Sequence, residues 1–130
     1  MNKFGVVLVG HGSKEPYNKS AIEYFAKKLG KKYPIVRYSF VQINEPPLQT
    51  VLEEMAGSGV DRVIVQPVFL TRGVHVDQDI PKILGLPKGS KTGTLIFGKK
   101  RIAVVLSEPI GEDDRIADIL SDRIAEALRD

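Results

Sequence analysis

The stretch Phe4-Gly5-Val6-Val7-Leu8-Val9-Gly10-His11-Gly12-Ser13 decides the fold. Phe4 to Val9 is one continuous apolar run with no polar alternation. A strand with one solvated face would alternate, so this run predicts a parallel strand covered on both sides. Gly10-His11-Gly12-Ser13 then breaks the run as a turn. Beyond it Ile22, Phe25, Ala26 and Leu29 recur at helical spacing and fall on one helix face. Strand, loop and helix follow one another in the first thirty residues.

The same unit recurs along the chain. Ile35 to Val41 is rich in β-branched and aromatic residues and predicts a second strand. Asn44-Glu45-Pro46-Pro47 ends it, because a proline has no backbone N–H to give. Leu48, Val51, Leu52, Met55 and Ala56 mark a second helix, expected to stop at Gly57 in a left-handed cap. Arg62 to Phe69 is a valine-rich third strand, and Leu70 to Val76 is the loop after it. Asp77 is expected to cap a short helix through Leu84, with Pro81 in its first turn. Pro87 to Lys100 reads as a surface loop or small hairpin. Ile102 to Leu106 is a fourth strand, followed by an amphipathic helix carrying Ile116, Ile119, Leu120, Ile124, Ala127 and Leu128. Four such cycles predict an α/β fold, an open, mainly parallel four-stranded sheet flanked by helices on both faces.

Composition narrows the function classes. The 130 residues suit a single domain, residues 1–130. With no cysteine there is no disulfide scaffold, thiol nucleophile or thiolate metal site. No apolar run approaches the ~20 residues of a membrane span, and no signal-peptide layout opens the chain, so a soluble cytoplasmic protein with no membrane partner is expected. The net charge of +3 is unevenly spread. Lys82, Lys88, Lys91, Lys99, Lys100 and Arg101 lie between Asp79 and Glu108 with no acid among them, whereas residues 108–130 hold eight acids against three arginines. No nucleic-acid recognition motif accompanies the basic segment, so no nucleic-acid partner is expected; it suits a small polycarboxylate equally well.

In an open parallel sheet, ligands bind beyond the carboxyl ends of the strands. The residues just after the first three strands include His11, Glu45 and His75, and these are the only two histidines of the chain. Neutral imidazole is the commonest protein metal ligand and a general base near neutral pH. Two histidines and a carboxylate can hold a divalent ion and leave positions open for substrate. Plainer readings stand beside this one. His11 between two glycines suits a turn, Glu45 suits an exposed loop, and Asp77 and Asp79 suit the acidic start of a helix, so neither aspartate is assigned as a ligand. Gly10 to Lys14 lacks P-loop spacing, no dinucleotide fingerprint follows a strand, and Ser13 lacks the setting of a hydrolase nucleophile.

The ordered set of motifs resembles one family. Val9-Gly10-His11-Gly12-Ser13, Asn44-Glu45-Pro46, Pro67-Val68-Phe69-Leu70 with Gly73-Val74-His75, Asp79-Ile80-Pro81 and Glu108-Pro109-Ile110-Gly111 are similar to the short, archaeal-type sirohydrochlorin chelatases. The resemblance implies insertion of Co²⁺ or Ni²⁺ into sirohydrochlorin for cobalamin or coenzyme F430 synthesis, the metal being a substrate and no cofactor permanently bound. It makes His11 and His75 metal ligands, His11 also the proton acceptor, and Glu45 a substrate contact. Leu70, Thr71, Arg72, Gly73, Val74 and His75 become the loop against the macrocycle. The sequence departs at Lys14, where relatives often have arginine, and at Thr71-Arg72, where small residues are common. Larger chelatases contain two such halves, which implies a homodimer here with the macrocycle near the partner subunit. Two other readings remain: a non-catalytic tetrapyrrole or metal carrier using the same pocket, and a phosphohistidine-type phosphatase. The latter lacks the arginine expected directly before the histidine, since Gly10 stands there.

Overall fold

The computed structural model describes residues 3–129. Its strands are β1 (Phe4–Gly10), β2 (Val36–Phe40), β3 (Arg62–Pro67), β4 (Thr92–Phe97) and β5 (Lys100–Leu106). Its helices are α1 (Tyr17–Leu29), α2 (Leu48–Gly57), α3 (Ile80–Ile83) and α4 (Asp114–Arg129), with one π-helical turn, His75–Asp79, running directly into α3. The strands form a single sheet in the order β2-β1-β3-β5-β4. β1 pairs in parallel with β2 and β3, and β3 with β5; only β4 is antiparallel, against β5.

The sheet therefore has five strands, one more than the four expected. The extra one, β4, lies in the Pro87 to Lys100 connection and turns into β5 through Gly98 and Lys99, with Gly98 at φ +62°. Its sequence, Thr-Gly-Thr-Leu-Ile-Phe, alternates exposed and half-buried positions because β4 is an edge strand with one side uncovered. That is why its apolar signal is short.

Strand alternation divides the core into two layers. Val7, Val9, Val63, Val65, Ile102, Val104 and Leu106 pack against Leu48, Val51, Leu52 and Met55 of α2 and against Ile80 and Leu84. On the opposite side Val6 and Leu8 pack with Ile22 of α1 and with Phe40. Helices thus lie on both faces, but unequally. α4, expected to flank the sheet, buries none of its side chains.

Two local expectations change. Gly57 is the last residue of α2; the helix closes with the Ser58 N–H and hydroxyl donating to Met55 O, and the left-handed residue is Gly59 at φ +88°. Asp77 does not cap a helix, because helical backbone already begins at His75, and its N–H donates to Gly73 O. Pro81 does sit in the first turn of α3, where no N–H is needed.

Candidate functional site

β1 ends at Gly10, and the parallel sheet delivers the next residue, His11, to its carboxyl edge. The turn that follows is tightly held. Gly12 lies at φ +89°, and a Cβ there would stand 1.8 Å from Gln42 O. The Gly12 N–H donates to Asn18 Oδ1 at 3.0 Å, and the Ser13 N–H to Asn44 Oδ1 at 2.7 Å. The loops after β1 and β2 are thereby stapled together, which fixes the backbone under His11. Asn18 was not singled out by sequence, and Asn44 entered only as part of the Asn44-Glu45-Pro46 motif with no role of its own; an asparagine two residues before Pro46 is an ordinary loop residue until its partner is known.

His75 arrives from the other side, as the first residue of the π-helical turn and not from the loop itself. The two imidazoles meet edge to face, ring centroids 4.5 Å apart and planes at 73°. Phe69, the residue after Val68 at the end of the third strand's run, stands 6.2 Å from His11 and 6.1 Å from His75. An apolar ring behind two imidazoles keeps water from one side of them.

Each imidazole is oriented by its Nδ1. His11 Nδ1 lies 2.7 Å from Gly12 O; a carbonyl only accepts, so Nδ1 carries the proton and Nε2 keeps its lone pair. His75 Nδ1 lies 2.6 Å from Asp79 Oδ2, so Nε2 is again the free nitrogen. A histidine whose second nitrogen donates to a carboxylate or carbonyl is the usual arrangement of a metal-binding imidazole. The four-residue spacing from His75 to Asp79 was legible, but the acid's role was read as helix-start charge. Its carboxylate instead holds the ring.

The other predicted residues are placed as follows. Glu45 is exposed in the loop after β2. Among the described residues no three histidine, aspartate or glutamate side chains gather into a metal-holding group, so the combination of two histidines with a carboxylate is not assembled. Leu70, Thr71, Arg72, Gly73, Val74 and His75 line a shallow cavity of about 200 Å³ together with Phe69 and Val76. Leu70 and Val74 are about 60% exposed, an apolar surface offered to solvent beside the histidines. The loop is clamped from below, since the Ile110 and Gly111 N–H groups donate to Phe69 O and Leu70 O.

Charges rim this edge. Arg72 Nε donates to Asp77 Oδ1 at 3.0 Å, and its guanidinium lies 3.7 Å from Glu108, which Lys91 Nζ approaches to 2.7 Å. The hydrogen bond from Lys91 holds the Glu108 carboxyl below its ordinary value. Asp77 in turn raises the Arg72 guanidinium further above neutrality. Arg72, Lys88 and Lys91 line a cavity of about 180 Å³ next to the loop. Part of the basic 82–101 segment is thus gathered beside the site, while Lys100 pairs with Asp61 elsewhere.

The CbiX family model matches residues 5–127. The chain belongs to the CbiX family. It is 39% identical over 128 residues to the sirohydrochlorin cobaltochelatase of Methanosarcina barkeri, covering 97% of this chain and 98% of the relative. It is 40% identical over 137 residues to that of Methanopyrus kandleri, covering 95% and 96%. Among solved structures, the sirohydrochlorin chelatase SirB of Bacillus subtilis in complex with cobalt superposes with a TM-score of 0.78 at 22% identity. That match covers 95% of this CbiX chain and 50% of SirB. A CbiX protein of Marinobacter aquaeolei gives a TM-score of 0.70 at 23% identity over 97% of this chain and 98% of that one. These structural likenesses carry the fold. No helix of the described residues is long and apolar enough to cross a membrane.

Proposed function

We propose that this protein inserts a divalent metal ion, Co²⁺ or Ni²⁺, into sirohydrochlorin, as a homodimer and as a step of cobalamin or coenzyme F430 synthesis. The observation that carries the reading is the His11–His75 pair, two imidazoles 4.5 Å apart with both Nδ1 atoms engaged. The long identities to archaeal sirohydrochlorin cobaltochelatases support the substrate.

The reaction exchanges two pyrrole N–H protons for the metal, which must shed its waters as it enters the ring. Two imidazoles presenting Nε2, with the Asp79 carboxylate engaged on Nδ1 of His75 and not offered as a ligand, hold a divalent ion loosely and leave its other positions to water and substrate. The metal is then a substrate, and no permanent cofactor is needed. As the ion passes to the macrocycle nitrogens, Nε2 of His11 is released and accepts one pyrrole proton, and the second leaves to solvent. His75 stays fixed by Asp79. Leu70 and Val74 offer an apolar rest for the macrocycle, Arg72, Lys88 and Lys91 offer charge to its carboxylates, and Glu45 contacts substrate from the neighbouring loop.

The test is anaerobic incubation with sirohydrochlorin and Co²⁺, Ni²⁺ or Fe²⁺, followed by absorbance. Catalytic turnover with Co²⁺ or Ni²⁺ above the spontaneous rate is expected. Stoichiometric binding without turnover would make the protein a carrier, and no effect with any metal would overturn the reading.

A further inference from the structure

Ile43 stands where neither its backbone nor its burial favours isoleucine. It lies in the left-handed region at φ +67°, and among the described residues no other residue except glycine does so. A β-branched side chain is poorly suited to that region, which glycine and asparagine enter readily. Across Ile43 the Asn44 N–H donates to Gln42 O at 2.7 Å, closing a three-residue turn in its rare, strained form. Packing does not offset the strain. Ile43 is 60% exposed and belongs to neither core layer.

Both ends of the turn are locked onto the loop that carries His11. The Gln42 carbonyl lies against Gly12, and Asn44 Oδ1 accepts the Ser13 N–H at 2.7 Å. These contacts hold the bend whatever residue stands at its centre, and glycine or asparagine would make it at lower cost. What isoleucine adds is an apolar side chain, fixed in place and left largely to solvent. Strain kept at one point beside a functional loop, with no gain in packing, points to a ligand.

Strand order says where that ligand lies. β1 runs between β2 and β3, so His11 is flanked by the loop after β2 on one side and the loop after β3 on the other. Ile43 is the exposed large apolar residue of the first loop, and Leu70 and Val74 are those of the second. Strands spaced ~4.8 Å set the two loops roughly 10 Å apart, comparable with the width of a flat tetrapyrrole core. We infer that Ile43 is a substrate contact, the second side of an apolar seat on which metal-free sirohydrochlorin rests over His11, opposite Leu70 and Val74. The strained turn fixes this side chain before substrate arrives, so less order is lost on binding. This rests on the sirohydrochlorin reading and adds to it a residue that sets where the macrocycle lies.

The test titrates metal-free sirohydrochlorin into the full-length protein, follows absorbance, and records the thermal midpoint of each variant. Ile43→Asn adopts the turn with less strain and removes the apolar side chain, while Ile43→Leu keeps an apolar side chain. Ile43→Asn is expected to melt a few degrees higher than the parent and to bind sirohydrochlorin roughly 5- to 30-fold more weakly, the loss that goes with a partly buried aliphatic side chain. Its KM for sirohydrochlorin should rise in step while its KM for Co²⁺ stays put. Ile43→Leu should bind like the parent. Unchanged affinity in Ile43→Asn overturns the seat, and so does an equal loss in Ile43→Leu. A lower midpoint in Ile43→Asn also overturns it, because the loss would then follow damage to the loop. A parent protein that binds no sirohydrochlorin overturns the sirohydrochlorin reading together with the seat, whereas a parent that binds it regardless of residue 43 overturns the seat alone.

Discussion

His75 and Asp79 are joined within a single π-helical turn, Nδ1 to Oδ2 at 2.6 Å. The wider turn ends with the Ile80 N–H donating back to His75 O, five residues away. The carboxylate fixes which nitrogen of His75 faces out. Asp79→Asn keeps the shape and removes the charge. It is expected to weaken Co²⁺ binding roughly 10- to 100-fold, the usual cost of losing such an outer partner. Calorimetric titration with Co²⁺ measures it, and unchanged circular dichroism shows that the fold is intact.

Gly12 is held where no other residue fits comfortably. Its φ of +89° is unfavourable for a side chain, and a Cβ would collide with the Gln42 carbonyl at 1.8 Å. Gly12→Ala is expected to lower unfolding free energy by at least ~2 kcal/mol, from left-handed backbone strain plus the displaced loop. Urea denaturation gives the number. Activity should fall further than stability, since the same collision separates the loops after β1 and β2.

Ile22 is the one fully buried anchor of α1, packed with Val6, Leu8 and Phe40. Ile22→Ala is expected to cost ~2–5 kcal/mol, as for other large-to-small changes in packed cores. A drop in thermal midpoint follows it. Tyr17→Ala, 76% exposed at the start of the same helix, should stay within ~0.5 kcal/mol.

What was legible in the sequence follows from what each residue's partner required. Phe4 to Val9 announced a covered parallel strand because burial on both faces demands an unbroken apolar run. His11 and His75 were found by strand ends alone, since the sheet brings its carboxyl edge together whatever the loops do. Asp79 was visible but misread, because helix-start charge and an imidazole partner have the same sequence signature until the ring is placed. β4 was underread because an edge strand with one bare face carries half the apolar signal of a central one. α4 was read correctly as amphipathic, but it was expected to flank the sheet and it buries none of its side chains, because periodicity marks an apolar face without placing it.

Asp113 ties the start of α4 to solution pH. Its carboxylate accepts the Arg115 N–H and both arms of the Arg115 guanidinium, each at 2.9 Å. The side-chain hydrogen bonds lower its pKa from an ordinary 3.8 to about 2. A carboxyl lowered in the folded state stabilises the structure above its ordinary value, and that contribution fades as pH falls through the folded value. The cap should therefore be complete at pH 5 and lost across the window from about 3.8 to about 2. Carboxyl carbon NMR of Asp113 follows the titration directly. Arg115→Ala should move its midpoint back toward 3.8 without altering the histidine pair, which lies on other elements.

The two histidines should fail differently when removed. His11 is read as both metal ligand and proton acceptor, so His11→Ala should lower kcat for metal insertion by ~10²–10⁴, the range lost with a general base. His75, held by Asp79, is read as a metal ligand alone. His75→Ala should therefore raise the KM for Co²⁺ more than it lowers kcat, and excess metal should restore part of the rate. High Co²⁺ should rescue His11→Ala little, because a filled metal site still lacks its proton acceptor. Steady-state kinetics over a range of Co²⁺ concentrations separates the two. Equal rescue of both variants would mean that His11 serves only as a ligand, and the pyrrole protons then leave to solvent or to another base.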